Sequence, residues 1–328
     1  MTRVLSGIQP SGAPHLGNLL GALTHWVREQ HQADSFYCLV DLHALTSPQD
    51  PAELRTRTLE LAASLLAIGL DPEVCTLFVQ SHVHEHAELA WFMECTASFG
   101  ELRRMTQFKD KSDRQDFVSA GLFAYPALMA GDILLYDTDR VPVGDDQRQH
   151  LELTRDLAIR FNARYGDTFK VPEGTFPAAG ARIMDLQNPT QKMSKSVDSE
   201  QGTVLLSDDL KVIERKLKRA VTDTETEVRW DPAAKPGVSN LLSILGASTG
   251  RTPQQAAEGY TQYGPLKADA AAAVIELIAP IQQRYRALVT DPAETARLLA
   301  IGAGQAATVA AATLVRARHA IGLLAPAG

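Results

Sequence analysis

The stretch that most constrains the fold is "DPAELRTRTLELAASLLAIG", residues 50–69, which stands between two apolar runs, "SFYCLVDLHAL" and "VCTLFVQS". Asp50 reads as an N-cap, Pro51 as the first helical residue, Glu53 as the partner in a capping box and Gly69 as the stop. The flanking runs, like "TRVLSGI" near the N-terminus, are short and rich in branched and aromatic residues, which predicts strands. Strand, helix and strand in alternation predict an α/β domain, a Rossmann-like parallel sheet covered by helices on both faces. Ligands bind such sheets at the carboxyl ends of the strands.

From about residue 207 the texture changes. "SDDLKVIERKLKRAV", "VSNLLSILGAS", "ADAAAAVIELIAPIQQRYRALV" and the long segment after Asp291 are helical throughout, and Thr252-Pro253 and Asp291-Pro292 repeat the cap-then-proline start. Alanines at 270–273 and 310–312 favour helix and close packing. An all-helical C-terminal domain is expected, and 328 residues, 45% of them hydrophobic, suffice for two domains.

Composition excludes several classes. No stretch approaches the roughly 18 to 20 uninterrupted apolar residues of a membrane span, and "MTRVLSGIQPSG" lacks a signal-peptide core, so a cytoplasmic protein without membrane contact is expected. Cys38, Cys75 and Cys95 form no CxxC pair and are expected to be small buried hydrophobes. A formal net charge of −7 argues against sequence-independent coating of DNA. Two local basic patches, residues 101–114 and 211–219, read first as solvated helix faces, with nucleic-acid contact as the alternative. His82, His84 and His86 alternate as a metal face on an extended segment would, but with no cysteine beside them they are expected to be surface residues, and no metal site is expected.

Two segments carry chemistry. In "SGIQPSGAPHLGNLLGAL", glycines 7, 12, 17 and 21 let backbone approach a ligand, and the helix start near Gly17 and Asn18 offers amides and a positive dipole end to phosphate. It is neither GxGxxG nor GxxxxGK[ST], so a dehydrogenase or P-loop reading has no motif behind it. The second is "KMSKS", residues 192–196. A specified five-residue string occurs in a chain this long on the order of once in ten thousand times.

"PHLGN" and "KMSKS" together resemble the signature pair of class I aminoacyl-tRNA synthetases, which grip ATP from two sides. Asn18 at the fourth position of the turn is the form found in tryptophanyl-tRNA synthetases. "SGIQPSG", "GELRRMTQFKDKS", "AGLFAYPALMAGDILLYDTDRVPVGDDQRQHLELTRDLAIRFN", "GARIMDL", "QKMSKS" and "KPGVSNLL" are similar to the bacterial members, in the same order.

The resemblance implies a homodimer that joins L-tryptophan to tRNA(Trp), using Mg2+-bound ATP. Residues 1–196 would form the catalytic domain and 197–328 a helical anticodon-binding domain. ATP would be held by Gln9, Pro10, Ser11, Gly17, Asn18, Gly144, Asp145, Asp146, Ile183 and the run Lys192, Met193, Ser194, Lys195 and Ser196. His15, Lys111, Lys192 and Lys195 would meet the phosphates during catalysis. Asp132 would accept the indole N–H, Met129 would pack on the ring, and Tyr125 and Gln147 would hold the amino group. Residue chemistry agrees at Asp132, because a carboxylate in an otherwise apolar helix needs a donor. The chain departs from the family at Leu42, where glutamine is common, and at Gly131, where alanine is usual. Tyrosyl-tRNA synthetase shares the fold, and a synthetase-like binding protein without catalysis is the other alternative. "LMAGD" followed by "VPVGDDQRQH" favours the tryptophanyl form.

Overall fold

A computed structural model of the chain describes residues 1–106, 118–144, 147–175, 182–194 and 200–325. Strands β1 (Arg3–Ile8), β2 (Asp34–Leu39), β3 (Thr76–Val79), β4 (Arg140–Pro142) and β5 (Glu173–Thr175) form one sheet in the order β3-β2-β1-β4-β5. All four pairings are parallel, as expected. The chain builds outward from β1 to β3, then returns to place β4 on the other side of β1. That reversal leaves a crevice at the carboxyl ends of β1 and β4.

Helical segments fill the intervals: α1 (Leu16–Asn18), a π turn (Leu19–Leu23), α2 (Thr24–Glu29), α3 (Asp41–Ala44), α4 (Pro51–Ile68), a 3-10 turn (Gln80–His82), α5 (Glu85–Thr96), α6 (Phe99–Arg103), α7 (Ala120–Leu134) and α8 (Arg148–Tyr165). The C-terminal part adds α9 (Leu210–Lys218), α10 (Pro236–Thr249), α11 (Pro253–Ala257), α12 (Tyr263–Thr290) and α13 (Pro292–Ala320).

Strand β2 shows how one run builds two cores. Phe36, Tyr37, Cys38 and Leu39 are all buried, because successive side chains point to opposite faces of a sheet covered on both sides. Phe36 and Cys38 join Leu5, Phe78 and Val141 beneath α5, α7 and α8. Tyr37 and Leu39 join Leu77 and Val79 in a core that also holds Leu65 of α4, Leu241 of α10 and Val274 of α12.

Local signals behave as read at α4, with one exception. Asp50 Oδ1 accepts the N–H groups of Ala52 and Glu53 at 2.9 Å, and Gly69 closes the helix at φ 128°. Glu53 turns instead to Arg57, 2.5 Å away. Thr252 does form a capping box, with Gln255, and Asp291 caps α13. The apolar runs overstate the strands: β2 stops at Leu39 and β3 at Val79, and both continue into turns stitched together where Asp41 Oδ1 accepts the Ser81 N–H at 2.9 Å.

By length and composition α13 could cross a membrane, with mean hydropathy reaching 1.7, although its uninterrupted apolar runs are short. Its buried stripe, including Leu299, Gly302, Ala306 and Ala310, lies along β3 and α5. A Cβ at Gly302 would overlap the Leu77 carbonyl oxygen, so glycine lets this helix cover the sheet's edge strand. Cys38 and Cys75 are buried as expected; Cys95 is exposed, one turn after the exposed Trp91 on the outer face of α5.

Candidate active site

The crevice at the strand ends is a cleft of about 450 Å³. Gln9 follows β1, Gly144 follows β4, and Val40 and His43 follow β2. Tyr125, Met129 and Asp132 project from one face of α7, at the spacing of four and three residues that aligns side chains on a helix. Gln147 completes the wall, its N–H donating to the Gly144 carbonyl at 3.0 Å. Six sequence-predicted residues, Gln9, Tyr125, Met129, Asp132, Gly144 and Gln147, therefore line one cavity.

Asp132 is buried to 5% exposure, and three donors meet its carboxylate. His43 Nε2 lies 2.7 Å from Oδ2, while Gln80 Nε2 and His86 Nδ1 each lie 2.7 Å from Oδ1. Burial by itself raises the pKa of such an acid, but the charge and hydrogen bond of His43 and the hydrogen bond of His86 outweigh it. The carboxyl is held well below the usual carboxylate range. An acceptor-only group at the cleft wall follows, one that rewards a ligand N–H. Nearby, the Tyr125 hydroxyl lies 2.7 Å from Nε2 of buried His150, and burial pushes its phenol up to about 12, so it is a neutral hydrogen-bonding group.

The two departures from the family lie just behind this wall. Leu42 contributes its backbone: its N–H donates to Gln80 Oε1 at 3.1 Å, orienting the amide that reaches Asp132. A Cβ on Gly131 would stand 3.0 Å from the Ala90 nitrogen, so α5 packs tightly on α7 there. That approach carries His86 to Asp132.

A second group forms around the first turn. His15 caps α1 reciprocally with Asn18: its N–H donates to Asn18 Oδ1 at 3.0 Å, and its Nδ1 accepts the Asn18 N–H at 3.3 Å. With Nδ1 accepting, the ring carries its proton on Nε2. The Leu16 N–H donates to the Val204 carbonyl, so the amides of Leu16 and Asn18 are engaged within the protein. Pro10 is buried and Ser11 closes a tight turn onto the Gln9 carbonyl.

The stem of the lysine-rich run is tied to this turn through residues 203–206, which bond to both. Met193, 1% exposed, donates its N–H to the carbonyl of buried Ile183, and Met184 pairs with Lys192 in an antiparallel bridge. Thr203 donates to the Ser194 carbonyl at 2.8 Å, and the Leu206 N–H reaches the Pro14 carbonyl at 3.0 Å. A Cβ on Gly17 would lie 3.0 Å from the His15 ring and 3.5 Å from Met193 Cβ. The glycine thus lets the two motifs touch. Lys192 is exposed, whereas Lys111, Asp145, Asp146, Lys195 and Ser196 lie outside the described residues.

Sequence reasoning missed His43, Gln80, His86 and Tyr136, and it placed His86 wrongly on the surface. His82 and His84 are exposed, but His86 is fully buried. The alternation was read on an extended segment, whereas a 3-10 turn and the start of α5 point the three rings in different directions. A usable signal existed: His43 and Gln80 stand just past the carboxyl ends of β2 and β3, where such sheets bind ligands. Lys216 also departs from the solvated basic face expected of it, being 3% exposed and bound to Asp208 and the Thr203 carbonyl.

Comparison with known proteins agrees with this geometry. A family model described as tRNA synthetases class I (W and Y) matches residues 1–279. The tryptophan–tRNA ligase 2 of Streptomyces avermitilis is 54% identical, over 98% of this chain and 97% of its own length. The tryptophanyl-tRNA synthetase of Mycoplasma pneumoniae superposes with a TM-score of 0.91 at 38% identity, covering 99% of this chain and 98% of its own. That of Campylobacter jejuni, solved with ADP and tryptophan, gives 0.82 at 32% identity, covering 98% of this chain and all of its own. With a parallel sheet, a cleft at its switch point and two motifs in contact at Gly17 and Met193, this chain belongs to the class I tRNA synthetases of the W and Y family.

Proposed function

We propose that the chain activates L-tryptophan with ATP, releasing pyrophosphate, and transfers the tryptophanyl group to the 3′-terminal adenosine of tRNA(Trp). The observation that carries the choice of amino acid is the ionised Asp132 at the wall of the cleft, its carboxylate fixed by three donors. A buried acceptor of this kind rejects ligands unable to satisfy it by large factors.

The amino-acid carboxylate attacks the α-phosphorus in line, and no protein nucleophile is required. Positioning and charge stabilisation carry the reaction. In this reading indole enters against Asp132 and Met129, and the ammonium group lies near Tyr125 and Gln147. ATP spans Gln9, Pro10, Ser11, Gly17, Asn18 and Gly144, with Asp145, Asp146 and Ile183 toward the nucleoside. Mg2+ arrives as part of the ATP substrate. Lys192, with Lys111 and Lys195, neutralises charge as pyrophosphate leaves, while His15 offers a hydrogen bond from Nε2 and the Ser194 and Ser196 hydroxyls assist.

The division at 196/197 assigns anticodon contacts to the helical part. Arg103, Arg104, Lys211, Arg215, Lys218 and Arg219 are exposed and suited to RNA phosphates, while buried Lys216 is not. Dimerisation is supported by exposed Trp91 and by Phe99, whose ring packs on Phe123 at 5.1 Å. The cytoplasm is the proposed compartment.

The test is amino-acid-dependent exchange of labelled pyrophosphate into ATP. Exchange with tryptophan alone supports the reading, exchange with tyrosine moves the chain to the sister specificity, and none with either, in folded protein that binds ATP, favours the non-catalytic alternative.

A further inference from the structure

We infer that His86 and Tyr136, which do not line the cleft, are positioning residues for indole recognition: they hold the Asp132 carboxylate so that one acceptor site, on Oδ2, is left for a substrate N–H. The inference rests on tryptophan being the substrate.

A carboxylate offers about four acceptor sites. Oδ1 takes two donors from behind the wall, Gln80 Nε2–H and His86 Nδ1–H, both residues fully buried. Oδ2 takes one, from His43, which itself lines the cleft. Among the described residues three sites are thus filled, and the fourth belongs to the oxygen beside His43.

His86 can play this part only if its proton sits on the nitrogen that faces Asp132. The far nitrogen, Nε2, lies 2.7 Å from the Tyr136 hydroxyl. Burial keeps that phenol protonated, so it donates to Nε2 and fixes the Nδ1–H form of the imidazole. Phe78 packs on the His86 ring at 6.0 Å and Phe36 on Tyr136 at 5.0 Å, which restricts rotation of both. Gly131 allows the approach of α5 that brings this pair to α7. Without the His86 donor, Oδ1 acquires a vacant acceptor site, and the carboxylate no longer presents its vacancy solely toward the cleft.

The discriminating measurement compares tryptophan with its isostere carrying sulfur in place of the indole nitrogen. The ratio of their kcat/KM values in pyrophosphate exchange is measured for the wild type, His86→Leu, His86→Asn and Tyr136→Phe. His86→Leu should lower that ratio about tenfold, Tyr136→Phe severalfold, and His86→Asn, whose amide supplies an N–H close to the place of Nδ1, should retain most of it. KM for ATP should stay within about twofold throughout. Equal losses on both amino acids, with the ratio intact in His86→Leu and Tyr136→Phe, would reduce the pair to space-filling and overturn the inference. Should His86→Leu not fold, Tyr136→Phe carries the test, because it removes one oxygen and keeps the ring contacts. A wild type without tryptophan-dependent exchange would sink the proposed function and this inference with it, whereas a wild type that prefers tryptophan, beside unmoved variants, sinks the inference alone.

Discussion

The two ends of the cleft are built differently. At the end proposed for the amino acid, Asp132 and its donors are buried, and each reaches the site from a separate packed element. At the end proposed for the nucleotide, Gln9, Ser11, Gly144 and Lys192 are exposed, on turns joined to neighbouring segments by backbone hydrogen bonds. The difference follows from what each end must do. Discrimination between amino acids needs an acceptor fixed before the substrate arrives, because a mobile carboxylate would find other donors. Pyrophosphate departure needs cationic groups within reach of charge that moves, which suits side chains on turns.

Breaking the amino-acid end should have the largest effect. Asp132→Asn replaces one acceptor oxygen with an NH2 donor that faces donors already in place, and kcat/KM for tryptophan in pyrophosphate exchange should fall by roughly 100-fold or more. KM for ATP should change by less than about twofold; an equal loss of ATP use would erase the proposed separation of the two ends. The converse experiment is Lys192→Ala, for which kcat of adenylate formation should drop by roughly 10- to 100-fold while equilibrium tryptophan binding is kept. Weakened tryptophan binding in that variant would show that the ends are coupled.

A smaller effect is expected at the contact between motifs. Gly17→Ala places a Cβ 3.0 Å from the His15 ring, and raising KM for ATP about tenfold corresponds to the 1–2 kcal/mol such crowding costs. Unchanged ATP kinetics would mean that the ring can move without loss. The smallest effect tests the scaffold shared by both ends. Hydrogen bonds from Arg160 hold the Glu101 carboxyl down to about 2, against an ordinary 4.5. A folded-state pKa below the unfolded one stabilises above the unfolded value and is lost as pH falls through the folded one. Glu101→Gln should therefore lower Tm by about 2 °C near neutrality, about 1 kcal/mol, and this gap should close between pH 4.5 and 2. A gap that persisted into acid would assign the loss to packing.

Much of the fold was legible because its signals are local. The Asp50 cap, the glycine stop at 69 and the β-branched and aromatic runs each act within a few residues, and the parallel sheet followed from their alternation. Strand ends were less legible, since "VDLHAL" carries apolar residues past the last ladder bond of β2, and the chain after β3 turns at Gln80 without a glycine or proline to mark the stop. Among site residues, Asp132 was legible as a buried charge in want of a donor. His86 was not, because its direction depends on where the 3-10 turn stops and α5 starts, and no spacing in the sequence marks that point.

By itself, then, the sequence determined the elements, their parallel arrangement, the two motifs and the need for donors around Asp132. Only the tertiary structure decided which donors answer. His43, Gln80 and His86 stand 89, 52 and 46 residues away along the chain, on three different elements. A buried charge is stabilised by whatever polar groups packing brings to it, and packing is set by whole surfaces, such as the Gly131 contact between α5 and α7, rather than by neighbours in sequence.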